Sequence, residues 1–506
     1  MKLLNKQIFE NKEAAALPGL LESGGLPALI SGLSAVHRVN LASALYEKCG
    51  RPVFVICPDE SAAESFSRDL ESMTGEKPLL LNTRDFNFYS TLAASRQSEQ
   101  AKISALDALA RGVSPLCVAT VSALMQRCIP PDELLKASFT VTDGGECPPE
   151  ELEKALLRCG YSRTEQVEGA GQFSRRGGII DFFSPMYPEP VRIEFWGDEI
   201  DSMGFFSVST QRRTEAVAKC SVLPAAEVLT PLAQNGESAF IASLDAAADK
   251  CSRRKSSEQL RALENTLRQD AEKLRSGIRL EDADRYISYL YEPAYGLDYI
   301  PADAFVFMDQ PSKCADRARG YMKQLGEDIN ALIKKGLISA PAESFRLGFD
   351  EMCRRLHDFP VYMADAFTVG KYPLDPKTLC SIYAKQLPSY AGSMKTAAED
   401  AQLYIKQDYS VVVLAGDMRR AQVMQSYFKE NGILARLAEK LEKIPERGYC
   451  TITVGAMSAG IEYPALKLAV ISDAQLLRVR SDRRHGKKNT PKAGHLNSYA
   501  DLSPGD

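Results

Sequence analysis

Tryptophan occurs once in this chain and histidine four times, and no apolar run approaches the roughly 18 residues that a membrane span needs. The opening stretch "MKLLNKQIFENKEAAALPGL" scatters its charges and has no apolar centre, so it does not read as a signal peptide. The twelve cysteines contain no C-x-x-C, their closest pair is Cys49 and Cys57, and zinc-site spacing is missing. That usage fits reduced, buried thiols in a cytosolic protein, so a cytoplasmic location is expected. His37, His357, His485 and His495 are too dispersed to suggest a metal site or a catalytic triad. A net charge of −4 gives no general attraction to nucleic acid or membrane. Internal repeats are absent.

What is there is globular: 45% of the residues are hydrophobic and 25% charged. At about 100–200 residues per domain, the length suggests three or four domains. Residues 1–137 read as α/β. "LPALISGLS" (26–34) is a buried strand entering a turn, "VNLASALYEKCG" a helix closed by Gly50, and "RPVFVICPDE" (51–60) the next strand. "ESFSRDLESMTG" follows as a helix, and "LCVATVSAL" (116–124) as a further strand. Apolar strands alternating with helices predict a parallel sheet.

Residues 138–223 differ. After a helix over 149–158, "FSRRGGIIDFFSPMYPEPVRIEFWGDEIDSMGFF" (173–206) is dense in β-formers. Val191, Ile193 and Phe195 alternate with Arg192, Glu194 and Trp196, and Gly197-Asp198 suits a hairpin. The period of two predicts a half-buried antiparallel sheet, with Gly177-Gly178 as a turn or a bulge. Residues 224–375 return to α/β as the second part of the interrupted fold. There "SSEQLRALENTLRQDAEKLRSG" (256–277) carries Leu260, Leu263, Leu267, Ala271 and Leu274 on one stripe, with Ser256 and Gln259 as a capping box. Residues 376–477 form a smaller α/β unit with strands "YSVVVLAG", "YCTITVG" and "LKLAVISD". Residues 478–492 are a basic linker, with seven Lys/Arg against Asp482, and the remaining residues to 506 close the chain.

The first strand-turn-helix stands where a phosphate-cradling loop would be, but "GLSAVHRVN" (32–40) departs from G-x-x-x-x-G-K-[ST]. Gly32 remains. His37 replaces the second glycine, Arg38 the lysine, and Val39 the hydroxyl that would hold magnesium. The strand "FVFMDQP" keeps Asp309, but Gln310 occupies the position of a catalytic glutamate, and an amide cannot act as a carboxylate base. Together these describe a nucleotide-binding scaffold without its chemistry. In the last α/β unit, "ITVGAMSAGIEYPALKLAVISD" (452–473) resembles a second helicase lobe, without an arginine-finger segment after it.

"FSRRGGIIDFFSP", "EPVRIEFWGDEIDSMGFF" and "TQRR" resemble the module shared by the excision-repair protein UvrB and the transcription-repair coupling factors (the Mfd family). The resemblance to the coupling factors extends to "VLPAAE" (222–227), "SAGIEYPALKLAVISDAQLL" and the closing "SYADLSPGD", which resembles the start of their RNA-polymerase-interacting domain, so that 478–506 would hold the basic linker and that start. Two features separate the chain from UvrB. It has no intact phosphate loop, and the stretch 86–112 offers only Phe86, Phe88 and Tyr89 before a helix, where UvrB carries a long tyrosine-rich hairpin for damaged DNA.

The resemblance implies a multidomain α/β protein whose degenerate helicase-like domain is interrupted by a β-rich docking domain for UvrA. Contact residues carried over by position are Arg176, just before the glycine pair, and Arg163 in "YSRTEQ". Ser174 stands where UvrB has a further arginine. Arg175 and Phe183 join the candidates, Phe183 as an anchor or a core residue. No cofactor is expected in this chain. ATP and Mg²⁺, RNA polymerase and DNA belong, by resemblance, to further domains of a longer translocase, of which this would be the N-terminal part. The rival readings are a divergent UvrB-like, ATP-dependent helicase component and a clamp that holds a motor inactive. The basic linker reads as a solvated tether, with at most weak, salt-sensitive contact to DNA.

Overall fold

The computed structural model describes residues 2–88, 96–233, 235–254, 257–441 and 445–476. Tyr89, Ser256, the basic linker and the closing stretch of the sequence lie outside the described residues.

Seven parallel strands form the first sheet, in the order Thr378–Ser381, Ala28–Ser31, Val361–Ala364, Phe305–Asp309, Val53–Cys57, Leu116–Thr120, Leu79–Leu81. Their apolar runs are near-continuous because helices cover both faces. Leu29, Phe54, Ile56 and Met308 pack into one core. Their strand neighbours Ile30, Val55 and Phe307 pack into the other. The stretch 116–124 is a strand only to Thr120. There the threonine hydroxyl accepts a hydrogen bond from Ala123 N at 3.2 Å and starts the short helix Val121–Met125. The strand Thr378–Ser381 falls within the stretch 376–477, yet it pairs with Ala28–Ser31 in the first sheet. The second α/β unit's own sheet begins at Lys385–Gln386 and continues through Ile461–Tyr463, Leu468–Ser472, Ser410–Ala415, Cys450–Val454 and Ala435–Ala438.

The β-rich insert is tied off at its base. Its first strand, Phe139–Thr142, pairs antiparallel with its last, Lys219–Val222, so the chain leaves and re-enters the α/β fold at one place. Beyond them six strands lie in the order Arg213–Ala216, Glu199–Phe206, Val191–Trp196, Ile179–Phe182, Gln172–Arg176, Ser162–Arg163. All these pairs are antiparallel except the last. The expected alternation holds: Val191 and Ile193 are buried while Arg192 and Glu194 are not. Phe173, Phe182 and Ile193 pack with Leu152 and Leu156 of the helix Pro149–Arg158. Each such side chain contributes about 1.5–3 kcal/mol by leaving water. Gly177-Gly178 is a turn rather than a bulge, with Gly177 at φ 59°, a left-handed conformation that glycine adopts without strain.

A helical hairpin, Glu237–Arg253 and Glu258–Arg275, covers part of the first core through Leu244, Leu267, Ala271 and Leu274. Ser257 caps the second helix by accepting from Leu260 N at 3.2 Å. All twelve cysteines are unpaired and none is exposed. Among the described residues no helix is long and apolar enough to cross a membrane.

A knot of buried charges joins the two halves of the interrupted fold. Arg84 donates to both oxygens of Asp284, at 2.6 and 2.8 Å, and pairs with Glu227. Lys102 lies 3.1 Å from Glu227, and Glu99 accepts from Glu227 N at 2.9 Å. Burial alone would lower the Arg84 pKa, but Asp284, Glu227 and Glu99 drive it well above the ordinary arginine value. Removing one member of such a cluster leaves uncompensated charge in a dry interior. Arg84→Met is therefore expected to lower unfolding free energy by about 3–5 kcal/mol in urea titration. A loss below about 1 kcal/mol would show that the interior tolerates the acids left without Arg84.

Candidate functional site

The crevice at the carboxyl ends of the parallel strands is where a nucleotide would sit in a sheet of this kind. In this chain it is filled from within. Gly32 N donates to Ala366 O at 3.2 Å and Leu33 N to Asp365 O at 3.3 Å, so two amides that would face a phosphate are already paired. Gly32 has φ 88°, and a Cβ there would collide with the Ile382 carbonyl. Arg38 forms a buried ion pair with Asp309, and its other nitrogen donates to Leu33 O at 2.9 Å. The cation and carboxylate that would meet phosphate and magnesium neutralise each other. Burial raises the Asp309 pKa, with Arg38 opposing that rise. Gln310 begins the helix Pro311–Lys334 from a left-handed φ of 51°. With Arg38 at the lysine position, Val39 at the hydroxyl position and Ser34 Oγ against His37, these residues do not fit a magnesium nucleotide.

His37 lies fully inside this region. Its Nδ1 is 2.6 Å from Ser34 Oγ, and its ring meets Tyr463 of the second α/β unit edge-on at 5.0 Å. Tyr463 Oη donates to Asn40 Oδ1 at 2.8 Å. Ser458, in the glycine-containing turn of the second unit, donates from N and Oγ to Asp69 at 2.8 and 2.5 Å. This turn of the second unit is therefore an anchoring contact between units.

The arginine pair of the insert faces two ways. Strand alternation puts Arg175 on the helix side and Arg176 on the outer face. Arg175 pairs with Glu150 and donates to Glu153 at 3.0 Å. Arg163 donates to Glu153 at 2.8 Å. Both are thus held by the helix Pro149–Arg158, an engagement the sequence did not reveal. It was within reach, because Glu150 and Glu153 lie on one side of a helix, three residues apart. Arg176 is exposed and has no ion pair among the described residues. Its cross-strand neighbour Ile179 is partly exposed, and Ile179 in turn lies opposite Glu194. Trp196, the only tryptophan, is 82% exposed on the same outer face. Phe183 lies just past its strand and is half-buried, while Phe182 before it fills the core.

Residues 139–227 match the model of the UvrB interaction domain. That span coincides with the tied-off β insert and ends on Glu227 of the buried knot. The whole chain is similar to transcription-repair-coupling factors. It is 28% identical over 504 residues to that of Bacillus subtilis (strain 168), covering 99% of this chain and 42% of the relative. It is 25% identical to that of Staphylococcus haemolyticus (strain JCSC1435), covering 94% and 40%. For that of Staphylococcus aureus (strain USA300), 25% identity covers 96% and 41%. The chain spans about two fifths of the length of these curated relatives.

The buried imidazole makes a pH prediction. Burial, with Arg38 adding to it, pushes the His37 pKa down to about 4 from 6.5. Above pH 6.5 neither folded nor unfolded chain protonates it. As pH falls from 6.5 towards 4, the unfolded chain gains a proton that the folded one refuses, and stability drops by about 1.4 kcal/mol per unit. His37→Gln should remove about 3 kcal/mol of the stability difference between pH 7 and pH 4 in urea titrations. An unchanged pH slope in the variant would refute the assignment.

Proposed function

We propose, from its likeness to the transcription-repair-coupling factors, that this chain is the N-terminal region of such a factor and that its β insert docks UvrA. The observation that carries this is the outer sheet face. It presents an unpaired Arg176 beside partly exposed Ile179 and exposed Trp196, on a rigid sheet rather than a loop. Aromatic and arginine side chains are the usual anchors of protein interfaces. The glycine pair next to Arg176 adds no bulk, so a partner carboxylate can reach the planar guanidinium and take two hydrogen bonds from it. Arg175 and Arg163 act chiefly by holding the helix Pro149–Arg158 against the sheet, with Arg163 at the rim. Through UvrA, excision repair would be brought to stalled RNA polymerase. The polymerase contact and ATP-driven movement on DNA would lie in further domains of the intact protein.

The test is titration of UvrA against the full chain. Arg176→Ala should weaken binding by about 2 kcal/mol, roughly thirtyfold. Lysine should rescue poorly because a point charge cannot make the two-pronged contact. A folded Arg176→Ala chain that binds UvrA like the wild type would rule this face out.

We also propose that the filled crevice hydrolyses no nucleotide. The supporting observation is the Arg38–Asp309 pair beneath amides already donated to Asp365 and Ala366. Purified chain should release no phosphate from ATP above background, with or without DNA. Release that disappears in Asp309→Asn would restore the rival reading of a UvrB-like helicase component.

A further inference from the structure

We infer that the free end of the helical hairpin is a sequence-independent binding patch for the phosphodiester backbone of nucleic acid. This goes beyond UvrA docking and does not rest on it. The patch is assembled from three segments. Lys250, Arg253 and Arg254 stand at the end of the helix Glu237–Arg253, and Arg261 in the opening turn of its partner Glu258–Arg275. Lys334 and Lys335 close the long helix Pro311–Lys334. That long helix ends against the start of the second hairpin helix. Gln259 Nε2 donates to Ile333 O at 2.7 Å, and Thr266 Oγ1 to Gly336 O at 3.3 Å. A Cβ on Gly336 would sit only 2.7 Å from Gln259 O and Leu263 N. These contacts bring all six cations to one end of the bundle, and all are exposed.

Some of this charge has a local reason, since Lys250, Arg253 and Lys334 lie in last helical turns, where cations offset the helix dipole. Arg254 lies beyond its helix, where that reason no longer applies. The nearby acids are engaged: Asp249 accepts from Arg268 at 3.0 Å, and Asp245 pairs with Arg275. Glu258 is the exposed carboxylate left at this end. The excess stands out in a chain of net charge −4.

The kind of polyanion follows from what accompanies the charge. No large hydrophobic residue between 245 and 264, or between 326 and 337, is among the exposed ones. A protein interface needs an aromatic or aliphatic anchor at its centre. A phosphate backbone needs only cations, and base edges would go unread, so sequence preference is not expected.

The experiment measures binding of short duplex DNAs of unrelated sequence to the full chain as salt is raised. The basic residues of 478–492 are neutralised throughout, to remove their own contribution. This chain should bind all duplexes alike, with affinity falling roughly a hundredfold between about 50 and about 200 mM salt, as about four phosphate contacts require. Lys250→Gln, Arg253→Gln, Arg254→Gln and Lys334→Gln combined should abolish most of that binding and most of the salt slope. Arg254→Gln or Lys334→Gln alone should lower the slope by about one. Circular dichroism checks folding. Unchanged affinity and slope in the combined variant would overturn the proposal, as would a strong preference for one sequence. Binding to polyglutamate without binding to DNA would overturn it in favour of an acidic protein partner.

Discussion

Arg84 is the residue on which the rest of the structure leans. It comes from the first stretch of the chain, yet its guanidinium is shared by Glu227 and Asp284, which follow the β insert. An interrupted domain must bring its second half back to the first across an inserted body, and apolar contacts alone leave that register loose. Buried ions are costly to desolvate and tolerate few geometries, so a fully paired cluster suits fixing a register better than adding stability. The helix Gln97–Ala110 contributes Glu99 and Lys102 to this knot from one side. The same helix holds the insert with Gln100 Nε2 on Ala170 O at 2.8 Å and Ser104 Oγ on Pro185 O at 2.9 Å. The insert is thus seated on the element that locks the fold around it.

The two faces of the insert differ in what they meet. The inner face packs Phe173, Phe182 and Ile193 on a helix whose acids also hold Arg175. That leaves Arg176, Ile179 and Trp196 exposed on the outer face. A binding surface on a supported sheet gives up little conformational entropy on docking, and affinity then depends on a few anchors. Neighbouring arginines in one strand divide these roles by strand geometry alone: one fastens the sheet to its helix, the next faces outward.

Much of this was legible in the sequence. Strand alternation at 191–196 set the sheet's two faces correctly, because the period of two is a local property. The replacements at His37, Arg38, Val39 and Gln310 could likewise be read from the sequence, as departures from a phosphate-loop pattern. The missing parts were long-range. Nothing local says that Thr378–Ser381 extends the first sheet, since its apolar Leu379 and Cys380 are adjacent and give the four residues no alternation of hydrophobicity. The pairing of Arg38 with Asp309 joins residues 271 positions apart. The helix Glu237–Arg253 went unread because its small residues blur the apolar stripe. At Thr120, hydroxyl capping ended a strand that hydrophobicity alone would have continued to Leu124.

The long-range pairings also explain why the crevice and the second α/β unit belong to one design. The segment that closes the phosphate position runs from Asp365 and Ala366, through the strand Thr378–Ser381, to the Ile382 backbone over Gly32. Three residues later the chain begins the second unit's sheet at Lys385. The covering of the crevice and the tether of the second unit are therefore one continuous stretch. A nucleotide large enough to reopen Gly32 would have to displace that tether. It would also disturb the edge-on contact of His37 with Tyr463 and the hold of Asp69 on Ser458. In a nucleotide-driven machine such a linkage would transmit motion between lobes. Here Arg38 and Asp309 satisfy each other inside, and the same stretch joins the two units alongside the contacts of His37 with Tyr463 and of Asp69 with Ser458.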